Sequence, residues 1–184
     1  MLCARYDVSV GVAREALTHL SVLGFVVAEP QHGFKVVSVT AHDLTDLTIA
    51  RCEVECAALA LSIKHGDLAW ESAVVATSHR LQRTPPVDSS GDWTTNMQWI
   101  TAHADFHASL LAACPSKRLV AMAATMRDAT EIYRLRSGEL DQSRDHNREH
   151  RLLSDAVLDR DIATSTSMLR NHLEKTAELL IAHL

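Results

Sequence analysis

The chain is poor in the residues that make turns, sheets and cross-links. Among 184 residues it has 6 glycines and 4 prolines, and Phe, Tyr and Trp together account for 4%. So few turn formers and aromatics argue against an all-β sandwich or barrel, whose many short strands need both. With 47% hydrophobic and 22% charged residues, a disordered or fibrous chain is excluded as well. No apolar run approaches the ~18 residues of a membrane span. No basic stretch leads into an apolar one at the N-terminus. A cytoplasmic protein without a membrane partner is the resulting expectation. The four cysteines, Cys3, Cys52, Cys56 and Cys114, form no CxxC pair, so they read as buried thiols rather than as a zinc finger or a disulfide framework. A basic excess is also missing. The net charge is −5, so any nucleic-acid reading has to come from local pattern.

What the chain does have is helical periodicity. Its length allows one large domain or a small one plus a medium one. Over residues 2–23 apolar positions recur at helical spacing in two pieces, LCARYDV and VAREALTHLSVL, interrupted at Asp7-Val8-Ser9. Ser9 is suited to cap the second piece and Gly24 to end it. FVVAEPQHGFKVVSV then alternates around Pro30 and Gly33 as a two-stranded hairpin. Helix, turn, helix and hairpin, in that order, make a winged helix. After Val39 the pattern changes: Thr40 can cap the segment AHDLTDLTIARCEVECAALALSIKHG, whose apolar stripe ends at Gly66. Further helices are predicted over 68–84, 93–114, 117–136, 143–159 and 162–184, with loops at 85–91 and 137–142. The expected fold is mainly α. A partial winged helix-turn-helix, two helices plus a hairpin wing, occupies 1–39, and an antiparallel all-α bundle of about six helices occupies 40–184.

The run DVSVGVAREALTHLSVLGFVV and the wing tip QHGFKVV resemble the GntR family of regulators. Val8-Ser9, Arg14-Glu15-Ala16-Leu17 and Gly24 carry the match. It continues through the bundle with Arg51 and Glu55, then Asp105-Phe106-His107, Glu149-His150, and Asp161 leading to His172. That pattern is similar to the helical FCD ligand-binding domain of the FadR subfamily, closest in texture to regulators of glutarate and GABA-type catabolism. The resemblance implies a DNA-binding transcriptional regulator and not an enzyme. It further implies a homodimer on a palindromic operator of double-stranded DNA, answering to a small organic acid effector. Two departures stand out. Family members carry a further helix and the start of the next before the position of Met1, so the DNA-reading half is read as incomplete. The rival reading is a sensor that dimerises without contacting DNA by itself. The second departure is Val10, where the family has an Arg able to make a bidentate contact to guanine.

Ser9 and Arg14 lie at the start of the presumed reading helix, where an N-terminus meets phosphate and an Arg reaches a base edge or a backbone oxygen. His32 and Gly33 form the wing tip, the glycine permitting a tight turn and close approach to a minor groove. Apart from the resemblance, Arg14 reads as a solvated helix residue and Gly33 as a hairpin turn. The first forty residues hold only Arg5, Arg14 and Lys35 as cations, against Asp7, Glu15 and Glu29. Nonspecific phosphate attraction per chain is therefore weak, and a dimer doubles the contacts.

Eleven histidines are present, and four of them stand out by position. His103 and His107 are one turn apart on one helix face. His150 and His172 each lie eleven residues from Asp161, at the turn between the last two helices. If those helices pack as a hairpin, the two reach the same height. Three helices then bring four imidazoles to one point in the bundle core, where bundle folds build metal sites. The resemblance places its metal ligands at these four positions. The family's first ligand is usually Asp; His103 stands there, and Asp105, two residues on, points elsewhere. An imidazole set favours a divalent ion such as Zn²⁺ or Ni²⁺ over Mn²⁺. It also leaves more positive charge for an anionic effector. Apart from His32 at the wing tip, the remaining histidines, His19, His42, His65, His79, His146 and His183, read as surface or satisfied core groups.

Arg51 sits one turn before Glu55 in ARCEVECAALAL, a run that is apolar on most sides. Either the Arg forks onto an effector carboxylate while Glu55 holds it, or the two form an ordinary i,i+4 ion pair. Arg134, with Tyr133 beside it, is a further effector-binding candidate, its alternative being a solvated helix end. A metal hydrolase would need a base beside the ion. Glu149 and Asp105 are the only adjacent acids, and no HExxH signature surrounds them.

Overall fold

The structure, a computed structural model, describes residues 2–22, 26–37, 40–86, 96–137 and 144–184. It is mainly helical with one small antiparallel sheet, as the periodicity predicts. It divides into two compact units, Met1–Val39 and Thr40–Leu184.

In the first unit, α1 (Leu2–Tyr6) and α2 (Val10–Val22) are separated at Asp7, which takes φ 50°. Asp tolerates this left-handed position better than most residues. Ser9 Oγ accepts from Val12 N at 3.3 Å, capping α2. Gly24, expected to end that helix, lies outside the described residues. Strands β1 (Val26–Glu29) and β2 (Gly33–Val36) pair antiparallel, Val26 opposite Val36 and Glu29 opposite Gly33. Gly33 takes φ 88°, which is why the tip of this hairpin uses glycine. Val26 is buried, while Val10, Val12, Val27 and Val36 are exposed.

The second unit contains six described helices: α3 (Ala41–His65), α4 (Leu68–Arg83), α5 (Met97–Leu111), α6 (Lys117–Ser137), α7 (His146–Leu158) and α8 (Ile162–Ala182). Short polar side chains start them. Thr40, Asp67, Asn96, Asp145 and Asp161 each accept a backbone N–H three residues on, at 2.8–3.1 Å. Ser116 Oγ does the same for Leu119 N at 3.4 Å. Each such cap is worth about 1 kcal/mol. The fifth predicted segment is shorter than its periodicity, ending at Leu111, because Pro115 biases Cys114 away from helical geometry. At the end of α3, Gly66 is not left-handed (φ −64°, ψ 141°). It is needed for room, since a Cβ there would lie 2.0 Å from Trp70 Cε3.

Helix α3 runs through the centre, packed against α6 and α8, while α4 packs against α5 and α7, and α7 against α8. The core includes Leu59, Ile63, Trp70, Val74, Leu81, Phe106, Leu110, Leu153 and Leu169. Trp70 Nε1 donates to Ser109 O at 2.8 Å, fixing the rotation of α5 against α4. The α7–α8 turn is held by Arg160, in a left-handed conformation (φ 60°). Its guanidinium donates to Ile63 O at 2.5 Å, to Gly66 O at 2.9 Å and to Glu71. Orphan carbonyls at the end of α3 are thereby satisfied, and the same contacts hold the hairpin that sets His150 against His172.

Candidate metal centre

Four imidazoles meet inside the second unit. His103 and His107 come from α5, His150 from α7 and His172 from α8. All four are buried, and one ring nitrogen from each can be chosen so that all lie within 4.8 Å of one another. Ring centroids are 4.6 Å apart for His103 and His107 and 4.7 Å for His150 and His172. The longest separation, between His103 and His172, is 6.3 Å. Aromatic neighbours set the ring planes. Trp99 stacks on His103 at 4.9 Å, and Phe106 makes T-shaped contacts with His107 and His150 at 5.4 and 5.3 Å.

His107 shows what this arrangement implies chemically. It is 2% exposed, and neither ring nitrogen has a hydrogen-bond partner among the described residues. A buried polar atom left unpaired is costly, and an ion at the cluster would satisfy one of them. Burial, reinforced by the nearby charges of His172, His150, Arg51 and Arg127, holds its pKa well below the ordinary histidine value. The ring is therefore neutral at pH 7, the form that binds a metal. His172 is orientated from outside: its Nδ1 lies 3.0 Å from Glu149 Oε2 and 3.2 Å from Arg144 Nη2. Because the ionised carboxylate can only accept, the nearer contact assigns the proton to Nδ1 and leaves Nε2 as the ligand nitrogen. Burial works to raise the Glu149 pKa. Hydrogen bonds from His172 and Arg144 outweigh it and hold the carboxyl well below the usual range. Asp105 stays apart, half-buried and paired with Arg80 at 3.2 Å.

Arg51 and Glu55 are both buried on α3, with Arg51 Nε donating to Glu55 Oε1 at 2.8 Å. Arg51 Nη1 also donates to Thr130 Oγ1 on α6 at 3.0 Å. Sequence reasoning missed Arg127, whose Nε is buried without a hydrogen-bond partner among the described residues. Its charge, like that of Arg51, acts on His107. The available signal was register: Arg127, Thr130 and Arg134 share a face of α6. The side chain of Arg134 lies outside the described residues. Tyr133 is not at the cluster; its hydroxyl donates to Asp43 near the start of α3.

The thiols of Cys52, Cys56 and Cys114 are buried and Cys3 is half-buried. Burial pushes Cys56 up to about 11, so it stays protonated, and it donates to Thr166 O at 3.4 Å. In the first unit, Ser9, Arg14, His32 and Gly33 are all exposed. His32 Nδ1 donates to Pro30 O at 3.2 Å.

Comparison with known proteins places this geometry in context. The FCD domain family model matches residues 46–175. The HTH-type transcriptional regulator BphR of Paraburkholderia xenovorans is 34% identical over 180 residues, 97% of this chain and 74% of BphR. The HTH-type transcriptional repressor GlaR of Escherichia coli K12 is 33% identical over 178 residues, 94% of this chain and 80% of GlaR. Among solved structures, a transcriptional regulator GntR from Rhodococcus sp. RHA1 has a similar fold, with a TM-score of 0.73 and 24% identity. That match covers 98% of this chain and 84% of the other.

Proposed function

Because this chain belongs to the FCD-domain family of HTH-type transcriptional regulators, we propose that its helical unit holds one divalent metal ion and senses a small organic acid there. The observation that carries this reading is the convergence of four buried imidazoles within 4.8 Å. His103, His107, His150 and His172 would hold the ion. An all-nitrogen donor set favours Zn²⁺ or Ni²⁺ over Mn²⁺. When bound, the ion supplies a Lewis-acid position for a carboxylate. A hydrolase reading does not survive family membership, since the curated relatives regulate transcription.

The chain's own residues would recognise the rest of the effector. Arg51 is held by Glu55 and Thr130, so its guanidinium is already positioned. Arg127 offers a buried N–H in need of an acceptor. Arg134 lies on the same face of α6. A small anion seated among these cations and the metal would couple α3, α5 and α6. Its preference for one arrangement of the bundle would set how a homodimer presents two winged helices to a palindromic operator. In that complex Ser9 and Arg14 face the major groove, and His32 with Gly33 the minor groove.

Elemental analysis of purified protein should find about one zinc or nickel per chain, lost on joint His150→Ala and His172→Ala substitution. Titration of small mono- and dicarboxylates should then change the anisotropy of labelled operator DNA only in the metal-loaded wild type. Wild-type protein that stays metal-free after incubation with zinc or nickel overturns the reading.

A further inference from the structure

Outside the four imidazoles lies a half-buried ion pair that the effector reading leaves unused. Arg144 precedes the Asp145 cap of α7, and its side chain is 8% exposed. It grips Glu149 with two parallel hydrogen bonds, Nε to Oε1 at 2.9 Å and Nη2 to Oε2 at 2.5 Å. The same guanidinium reaches α8, donating to Thr176 Oγ1 at 3.0 Å and to His172 O at 3.2 Å, and its Nη2 also lies 3.2 Å from His172 Nδ1. The nearer partner of that nitrogen, at 3.0 Å, is the Glu149 carboxylate, which can only accept, so it selects the protonated Nδ1 over the lone pair that Arg144 would need. Glu149 in turn receives Nδ1–H of His172. One fork thus joins the entry to α7, the first turn of α7, and the backbone and ring of His172.

Packing alone does not hold Glu149 in place. Its side chain is 27% exposed, and it borders a cavity of about 150 Å³ between α7 and α8, lined also by Leu152, Met168, Asn171 and Lys175. A carboxylate with open space beside it has other rotamers available. Two parallel N–H···O bonds select one of them, because the planar guanidinium matches the carboxylate edge in a single orientation. That rotamer accepts from Nδ1 of His172, which fixes the tautomer and ring plane of the imidazole.

We infer that Arg144 and Glu149 are positioning residues for the metal site, Arg144 locking Glu149 and Glu149 locking His172 as the Nδ1–H tautomer. This rests on the metal reading above. It adds that metal affinity depends on a residue on the far side of the ligand from the ion. Deletion of such outer partners typically weakens metal binding 10–100-fold.

The test uses the full chain, with zinc as the probe. Glu149→Gln keeps the shape and loses the charge, whereas Arg144→Lys keeps the charge and loses the fork. Competition with a chromophoric chelator should show zinc dissociation constants raised 10–100-fold for Glu149→Gln. Arg144→Lys should fall between that variant and the wild type. Helical content by circular dichroism should stay the same in the metal-free proteins. Side-chain ¹⁵N–¹H spectra of metal-free wild type should show His172 protonated at Nδ1, a signature kept by Glu149→Gln, whose amide oxygen still accepts, but lost in Glu149→Leu, which has no acceptor, and a merely structural role would not move it. Zinc affinities equal to wild type in both folded variants, or a His172 protonated at Nε2, overturn the inference and leave the metal reading standing. A wild type that binds no zinc overturns both.

Discussion

Glu55→Ala removes the carboxylate from an ion pair whose side chains are 8% and 1% exposed. Arg51 is then left buried, with the neutral Thr130 hydroxyl, 3.0 Å away, as its other acceptor among the hydrogen bonds described. Breaking a buried pair from one side costs about 3–5 kcal/mol, because the remaining charge has lost its compensation. At about 2–4 °C per kcal/mol for a chain of this size, the melting temperature of the metal-free protein should fall by about 6–20 °C. Glu55→Gln keeps an acceptor and should cost less. The double variant Arg51→Met with Glu55→Leu buries no charge and should recover most of the loss. Urea unfolding followed at 222 nm measures all four proteins, with unchanged m-values required for the comparison. If Glu55→Ala costs less than about 0.5 kcal/mol, as an exposed i,i+4 pair would, Arg51 is not a buried cation awaiting an anion. A double variant less stable than the single would refute the reasoning equally.

Other perturbations test different parts of the molecule. His107 is disfavoured as a cation in the folded state, so the unfolded chain binds the proton more readily. Metal-free stability should hold above the unfolded value near pH 6.5 and decline as the pH falls from there toward the lower native value. Between pH 8 and 5 the urea midpoint should fall more for wild type than for His107→Gln, whichever is the more stable at pH 8; a constant difference would refute the shift. Gly66→Ala drives a methyl into Trp70, whose indole is fixed by Ser109. It should destabilise the bundle by about 1–3 kcal/mol in the same unfolding assay, and a neutral result would mean that the α3–α4 corner yields freely. Tyr133→Phe removes the hydroxyl that donates to Asp43; because Asp43 is exposed and can be hydrated instead, the change should cost about 0.5–1.5 kcal/mol, seen as a lower melting temperature with native helical content. No change in melting temperature would mean that the hydroxyl contributes nothing there.

Much of the fold was legible because its signals are local. Thr40 and Ser9 read as caps from their neighbours alone, and they cap in the structure; Asp161, read only as the centre of a turn, caps α8 as well. The hairpin followed from alternation on either side of Pro30 and Gly33. The meeting of His150 and His172 could be anticipated only by assuming that α7 and α8 turn back on each other. Arg160 supplies that closure through contacts 89 to 97 residues away. Arg127 and Arg144 were not singled out. Each looks like an ordinary surface cation on its own segment, and its burial comes from helices distant in sequence.

By itself the sequence determined where α3, α4, α6 and α8 begin, which unit carries the strands, and that His103 and His107 share a face, since capping and i,i+4 spacing act within one turn; α5 and α7 start at Met97 and His146, behind the Asn96 and Asp145 caps, rather than at 93 and 143. Tertiary structure alone decided which helices face one another. It placed Thr130 against Arg51 across 79 residues and sent Tyr133 to Asp43 across 90. It also locked His172 to Glu149 across 23. Partners so far apart are chosen by packing of the whole bundle, whose free energy no short segment contains.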